Sequence, residues 1–211
     1  MIKLEHTETY GWEAAIRGMR NPLNSWSKSD STWVDGQYIV GPNDLKLMNT
    51  LGNAGNDHGK FLRMLGVSVD IDAPLYWWKE FDTYKVGTVA NSCSTMHKIH
   101  AKEFTMGDFS HEHLISRMGE SFESIDLMEM LIDLLNKYRN LYLESKNKTY
   151  WWQLIQLLPS SYNQKRTVTM NYAVLKNMYQ ARKNHKLDEW HEFCDWVKTL
   201  PHAELIVGGD E

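Results

Sequence analysis

The sequence predicts a mixed chain, with strands in its first half and mostly helices in its second. Two patterns carry that reading. Residues 66–72 alternate strictly and place Val67, Val69 and Ile71 on one buried face, as a half-buried strand requires. Ile125, Met128, Ile132, Leu135, Tyr138 and Tyr142 recur at three- and four-residue steps, the stripe of one long helix buried along one side.

The remaining elements follow in order. Residues 2–5 read as a short strand, and Trp12, Ala15, Ile16 and Met19 as the apolar face of the helix after it. Residues 21–36 read as loop. Gly41-Pro42 opens a helix with proline at a permissible first position, carrying Leu45, Met48 and Leu51 on one face, and the glycines at 52 and 55 end it. A further helix is expected around 58–65, before the clear strand, and another over 74–82. Residues 83–97 are rich in small and polar side chains, the kind of loop that carries chemistry. In the second half, Trp151, Trp152, Ile155 and Leu158 form one apolar helical face. Met170, Val174, Leu175, Met178 and Tyr179 form another, and Leu187, Trp190, Cys194 and Val197 a third. No repeat, low-complexity tract or long linker interrupts the chain, so residues 1–211 are expected to form one domain with a ragged end at 208–211.

Composition narrows the class. Hydrophobic residues make up 42% and the chain holds nine tryptophans, which excludes the low-hydrophobicity profile of disorder. A formal net charge of -4 argues against broad binding to nucleic acid, while leaving room for a small anion in a local basic pocket. Cys93 and Cys194 are too few for a disulfide framework, and the first ten residues lack a signal-peptide profile. No apolar run approaches the roughly 20 residues of a membrane span. A cytoplasmic protein is expected.

The most specific motif is the stretch 158–182, LPSSYNQKRTVTMNYAVLKNMYQAR. Pro159 is followed twelve residues later by Asn171, then by Leu175, Asn177 and Arg182 at steps of four, two and five. This spacing, without a gap, resembles the C-terminal signature of the flavin-dependent thymidylate synthases. Two arginines of that signature are replaced, by Ile155 and Ala173. A second stretch, 73–98, is similar to the family's Gln…Arg-His-Arg…Ser region. Glu80 stands where the family has glutamine, and Thr83-Tyr84-Lys85 where it has Arg-His-Arg. After one inserted residue, Asn91 and Ser94 match its asparagine and serine. Met96 replaces the following arginine and His97 the next tyrosine. His58, sixteen residues before Pro74, matches the histidine of a family Glu-His pair, with Asp57 keeping the acidic type. His185, Trp190 and Glu192 are similar to its tail. Four stretches in the family's order, over 52–192, are harder to obtain by chance than any one alone.

The resemblance implies an α+β subunit, a sheet flanked by long helices, and a homotetramer whose active sites form between subunits. It implies one-carbon transfer from methylenetetrahydrofolate to C5 of dUMP, with FAD as redox cofactor and NADPH as its reductant. In that scheme Lys85, Arg182 and Lys165 neutralise the nucleotide phosphate, and Ser94, Asn91 and Glu80 orient the base. Asn171, Asn177, His58, Tyr84 and Lys85 approach the flavin. Ser94 is the nominal catalytic choice, since such a family leaves the difficult chemistry to its cofactor. The loss of arginines bears on mechanism because phosphates are gripped by charge-assisted hydrogen bonds. A non-catalytic nucleotide-binding or interaction protein on the same scaffold is therefore the competing class.

Plainer readings stand beside these. Ser94 and Asn91 are also ordinary turn residues, and Arg182 alone would be a surface charge. Cys93, beside Ser94, is expected to be buried and inert rather than a nucleophile. His97 with His100, and His111 with His113, lack the further ligands a zinc site needs, so no metal is expected. The Trp77-Trp78 and Trp151-Trp152 pairs could stack a flavin or base, or pack in a core or subunit interface. A carboxylate at Glu80 would favour a donor on the ligand, such as uracil N3–H or the cytosine amino group.

Overall fold

Residues 1–208 are described by a computed structural model of the chain; the rest of the expected ragged end, 209–211, lies outside the described residues. Six strands, β1 (Lys3–Tyr10), β2 (Thr32–Val34), β3 (Gln37–Ile39), β4 (Gly66–Pro74), β5 (Val89–Ser92) and β6 (Asn163–Asn171), are interleaved with eight helices. The helices are α1 (Trp12–Arg20), α2 (Pro42–Asn53), α3 (Leu75–Phe81), α4 (Ser124–Ser145), α5 (Lys148–Leu157), α6 (Tyr172–Arg182), α7 (Asp188–Lys198) and α8 (Glu204–Val207). Four strands form one sheet in the order β1-β4-β6-β5, and β2 pairs antiparallel with β3. Ser68 bonds Thr169, and Thr167 bonds Asp70. Stepping forward on one strand while stepping back on the other is the register of antiparallel neighbours.

The chain divides into two compact units, each gathered from discontinuous stretches. Unit 1 holds residues 1–3, 72–82 and 92–166, and unit 2 holds 4–71, 83–91 and the chain from 167 onward.

In unit 1 the paired helices α4 and α5 bury Ile132, Leu135 and Leu154 against Ile99, Phe104 and Phe109. The long apolar stripe read from the sequence is this face of α4. On α3, Trp77, Trp78 and Phe81 are fully buried, with the two indoles edge-on at 4.9 Å, which makes this pair core. Trp151 is half-buried and Trp152 exposed.

In unit 2 the core is Ala15 and Ile16 of α1, Met48 of α2, the inward residues Val67, Val69 and Ile71 of β4, Val168 and Met170 of β6, and Leu175, Met178, Trp190 and Phe193 of α6 and α7. An Arg20–Asp44 pair, 2.6 Å apart and almost wholly buried, ties α1 to α2. Ser29 and Ser31 also donate to Asp44, and Asp30 accepts the N–H groups of Asn43 and Asp44 at the start of α2. The stretch read as loop, 21–36, is thus a structured N-terminal clamp for α2, and it contains β2.

Three elements differ from the sequence reading. The first strand runs to Tyr10, and the helix expected around 58–65 is a short 3-10 turn, Gly59–Arg63. The larger difference is β6. Met170 belongs to a nine-residue strand, not to α6. Its buried residues Gln164, Val168 and Met170 fall at even spacing, and Thr167, Val168 and Thr169 are β-branched, both preferences of a strand within a sheet.

Candidate active site

In unit 2 the signature segment switches from strand to helix at Asn171. Its side-chain oxygen accepts the N–H of Val174 at 3.0 Å and caps α6. Opposite it, Gly87 takes a left-handed φ of 79°, and a Cβ there would come within 3.0 Å of Asn171 Nδ2 and Val174 Cγ2. Glycine is required because the loop before β5 lies directly on the start of α6.

These elements border a cleft of about 830 Å³. Its floor is α6, through Asn171, Lys176 and Asn177. Its other walls are the glycine-rich stretch after α2, including Gly55 and Asn56, with Arg63 of the 3-10 turn and Gly87. Lys176 Nζ donates to Gly52 O at 2.9 Å, and burial holds its pKa below the ordinary lysine value. Of the predicted flavin residues, Asn171 and Asn177 therefore share this cleft. His58 is exposed at the entry to the 3-10 turn, and its neighbours Asp57 and Lys60 lie 3.9 Å apart.

Arg182 is placed otherwise. Its Nε donates to Tyr84 OH at 2.8 Å, and its guanidinium stands 5.5 Å from the Tyr84 ring and 4.8 Å from that of the fully buried Trp190. Two predicted ligand-binding residues thus bond to each other in a stacked cluster, where the cation is stabilised by aromatic faces. Lys85 and Asn91 are exposed.

In unit 1, Ser94 follows β5, and its Oγ accepts the N–H groups of Met96 at 3.2 Å and His97 at 3.0 Å. The hydroxyl builds the turn and keeps its own O–H for donation. Cys93 is exposed, not buried as expected. Its N–H donates to Lys165 O at 2.9 Å and its carbonyl accepts Gln164 Nε2 at 2.7 Å. Lys165 is half-buried on β6, one of the charges acting on Asp72, whose pKa burial raises against the opposing pull of Lys102 and Lys165. Glu80 is half-buried on α3. Arg166, next to Lys165 on β6, is firmly held. It donates to Asp82 at 2.7 Å and to Gln164 at 3.0 Å, and lies 4.1 Å over Trp78.

Sequence reasoning missed Arg63 and Lys176, the two cations of the cleft. No motif marks either. Lys176 follows Leu175 inside the signature, and its position on the cleft wall emerges only once α6 is seated beside the end of α2.

The chain matches no protein-family model and no curated protein. Solved structures do match. The flavin-dependent thymidylate synthase ThyX of Helicobacter pylori, complexed with FAD and dUMP, superposes with a TM-score of 0.67 at 18% identity, covering 98% of this chain and 96% of that one. A second structure of that enzyme with FAD and dUMP gives 0.67 at 16% identity, covering 98% and 97%. The UMP/dUMP methylase PolB of Streptomyces cacaoi, bound with 5-Br UMP, gives 0.63 at 13% identity, covering 99% and 96%. With its sheet of order β1-β4-β6-β5 and its long helices, this chain has the α+β fold of the flavin-dependent thymidylate synthases.

Proposed function

We propose that this protein modifies C5 of a pyrimidine nucleotide, by one-carbon transfer from methylenetetrahydrofolate to dUMP, acting as one catalytic domain over 1–211 in a homotetramer. The observation that carries the reading is local. The segment whose spacing matches the family signature, through Asn171 and Asn177, is also the segment that forms one wall of the 830 Å³ cleft. Such a volume lies within the roughly 300–1,000 Å³ of cofactor sites.

The cleft's residues suit FAD. Lys176 and Arg63 supply positive charge for a diphosphate, and the glycine backbone at Gly52, Gly55 and Gly59 permits close approach. Asn171 keeps its Nδ2 as a donor, because the cap uses only Oδ1. Bound there, the flavin supplies the redox chemistry of the transfer, with NADPH as its reductant. The chain's own groups bind and orient. Ser94 offers its remaining O–H to a base carbonyl, and Glu80 offers an acceptor to uracil N3–H, with Asn91 as a further amide. Lys85 and Lys165 provide charge for the phosphate.

Structures of the same fold were solved with FAD and dUMP or with 5-Br UMP, which supports the substrate class. Purified protein tests the reading. Yellow colour or uptake of added FAD, with release of tritium from dUMP labelled at C5 when methylenetetrahydrofolate and NADPH are present, is the expected result. Colourless protein that takes up no FAD and releases no tritium overturns it. Glu80→Gln should shift preference between dUMP and dCMP, and an unchanged ratio removes Glu80 from base recognition.

A second reading, a nucleotide-binding protein without flavin chemistry, is favoured by one observation. Arg182 is held by Tyr84 and Trp190 in the position where a phosphate ligand was expected. Colourless protein that binds dUMP is the outcome that selects it.

A further inference from the structure

A separate cavity of about 730 Å³ lies within unit 2, between α1 and the β2–β3 hairpin, and shares no lining residue with the cleft of Asn171. Its walls are aromatic. Tyr10 and Trp12 come from the turn between β1 and α1, Trp33 and Tyr38 from the hairpin, and His202 from the stretch before α8. Glu13 and Arg17 of α1 add a carboxylate and a guanidinium to the lining. Trp33 is 58% exposed and Tyr10 47%, so a large ring surface is left in water.

Local structure sets these rings in place. Asp35 and Gly36 take left-handed φ values of 48° and 80°, as a two-residue type I′ hairpin turn requires, and the register that follows sets Trp33 opposite Tyr38. The two rings meet edge-on at 5.4 Å. Trp33 Nε1 donates to Glu13 Oε2 at 3.4 Å, which ties the hairpin to the first turn of α1. Trp12 lies edge-on to His202 at 5.2 Å and is backed by the buried Tyr172 at 5.4 Å. A Cβ at Gly66 would run into the Tyr10 ring, so the glycine at the start of β4 gives that ring its seat.

The charges favour a cation. Glu13 Oε1 accepts Arg17 Nη1 at 3.0 Å, but both partners of this i,i+4 pair are exposed, and such a pair yields readily to a competing positive charge. Burial, then the carboxylates of Asp44 and Glu13, push the Tyr38 hydroxyl above its usual pKa, and they outweigh the Ser31 hydrogen bond and the Arg17 charge. Ring faces under negative potential attract a cation whose substituents are apolar, because the quadrupoles draw the charge while methyl groups fill the space without needing hydrogen-bond acceptors.

We propose that this cavity binds an organic cation of the quaternary ammonium class, with its methyl groups against the Tyr10, Trp12, Trp33 and Tyr38 rings and its charge facing Glu13. The volume falls within the roughly 300–1,000 Å³ of small-molecule sites. The proposal is independent of the pyrimidine reading, because neither Trp33 nor Glu13 lines the cleft given to FAD.

Titration of the full chain with choline, followed by the indole N–H resonance of Trp33 in NMR, tests the site; the resonance is assigned by its loss in Trp33→Leu. Choline should shift it saturably. The neutral carbon isostere of choline, in which a tert-butyl group replaces trimethylammonium, should bind at least about tenfold more weakly, since it keeps the shape and loses the attraction to the rings. By equilibrium dialysis, Trp33→Leu should lower choline affinity about tenfold, Trp33→Phe should restore part of it, and Glu13→Gln should weaken it several-fold, with circular dichroism and FAD uptake unchanged in all three. Retention on phosphatidylcholine vesicles that Trp33→Leu abolishes would keep the cage and assign the cation to a lipid head group; choline binding without such retention assigns it to a free solute. An isostere that binds as tightly as choline, or a wild type that shows no saturable choline shift, overturns the site and leaves the C5 reading standing. Loss of FAD uptake in Trp33→Leu would overturn its separateness from the cleft.

Discussion

Asn171 shows how much one side chain can do. Its oxygen caps α6, its Nδ2 faces Gly87, and it borders the cleft. Asn171→Ala should lower stability by about 1 kcal/mol, read as a shift in urea midpoint at constant slope. Asn171→Asp keeps the capping oxygen and adds a favourable charge at the helix start, so it should retain stability while weakening FAD uptake, because an acceptor replaces the amide donor. An alanine variant as stable as wild type would remove the cap argument. Arg182 makes the opposite point. Its spacing in the sequence matches a ligand-binding arginine, yet Tyr84, 98 residues away, takes its Nε and Trp190 lies against its plane. Arg182→Lys should cost about 1 kcal/mol by thermal melt, with altered near-UV dichroism from Trp190, since an ammonium lacks the planar stack. A sequence lists donors; it does not say which neighbour reaches them first.

At the scale of elements, the start of α2 is the most heavily built junction. Asp44 is fully buried and accepts from Arg20, Ser29 and Ser31, so Asp44→Asn leaves Arg20 buried without its charge partner and should cost roughly 3–5 kcal/mol in urea unfolding. Burial alone would raise the Asp44 pKa, but the hydrogen bonds from Ser29, Ser31 and Arg20 outweigh it and hold the carboxyl below its usual value. The sign follows: the stabilisation is complete above the unfolded carboxylate value, about pH 4, and is lost as pH falls through the lower folded value. The stability gap between wild type and Asp44→Asn should therefore narrow on acidification below that pH, and a constant gap would contradict the assignment. Gly87→Ala should cost about 1–3 kcal/mol, because a side chain at φ 79° is strained and meets Asn171 and Val174 at 3.0 Å. Legibility varied between elements for a physical reason. The helices α1, α2, α4 and α7 were readable because each buries one stripe. β6 was not, because its Thr and Val alternation is short and runs without a break into the helical spacing of α6.

For the whole molecule, no helix among the described residues is long and apolar enough to cross a membrane. Large apolar side chains nonetheless remain exposed between 115 and 130: Ile115, Met118, Phe122, Leu127 and Met130, each more than half accessible. A run of this kind on unit 1 supports the proposed homotetramer, since apolar surface left in water marks association. Sedimentation should give a tetramer, and Leu127→Glu with Met130→Glu should shift it to smaller species without loss of helical dichroism. A wild-type chain that sediments as a monomer would end the homotetramer part of the proposal.

The sequence by itself determined the strand–helix periodicities and the spacing from Pro159 to Arg182, because backbone geometry imposes those intervals residue by residue. Only the tertiary structure decided what each polar group meets: that Asn171 caps a helix, that Arg182 bonds Tyr84 and lies beside the Trp190 ring, and that Lys176 and Arg63 line one cleft. Hydrogen bonds and ion pairs act over a few ångströms between residues far apart in the chain, and that nearness exists only after folding.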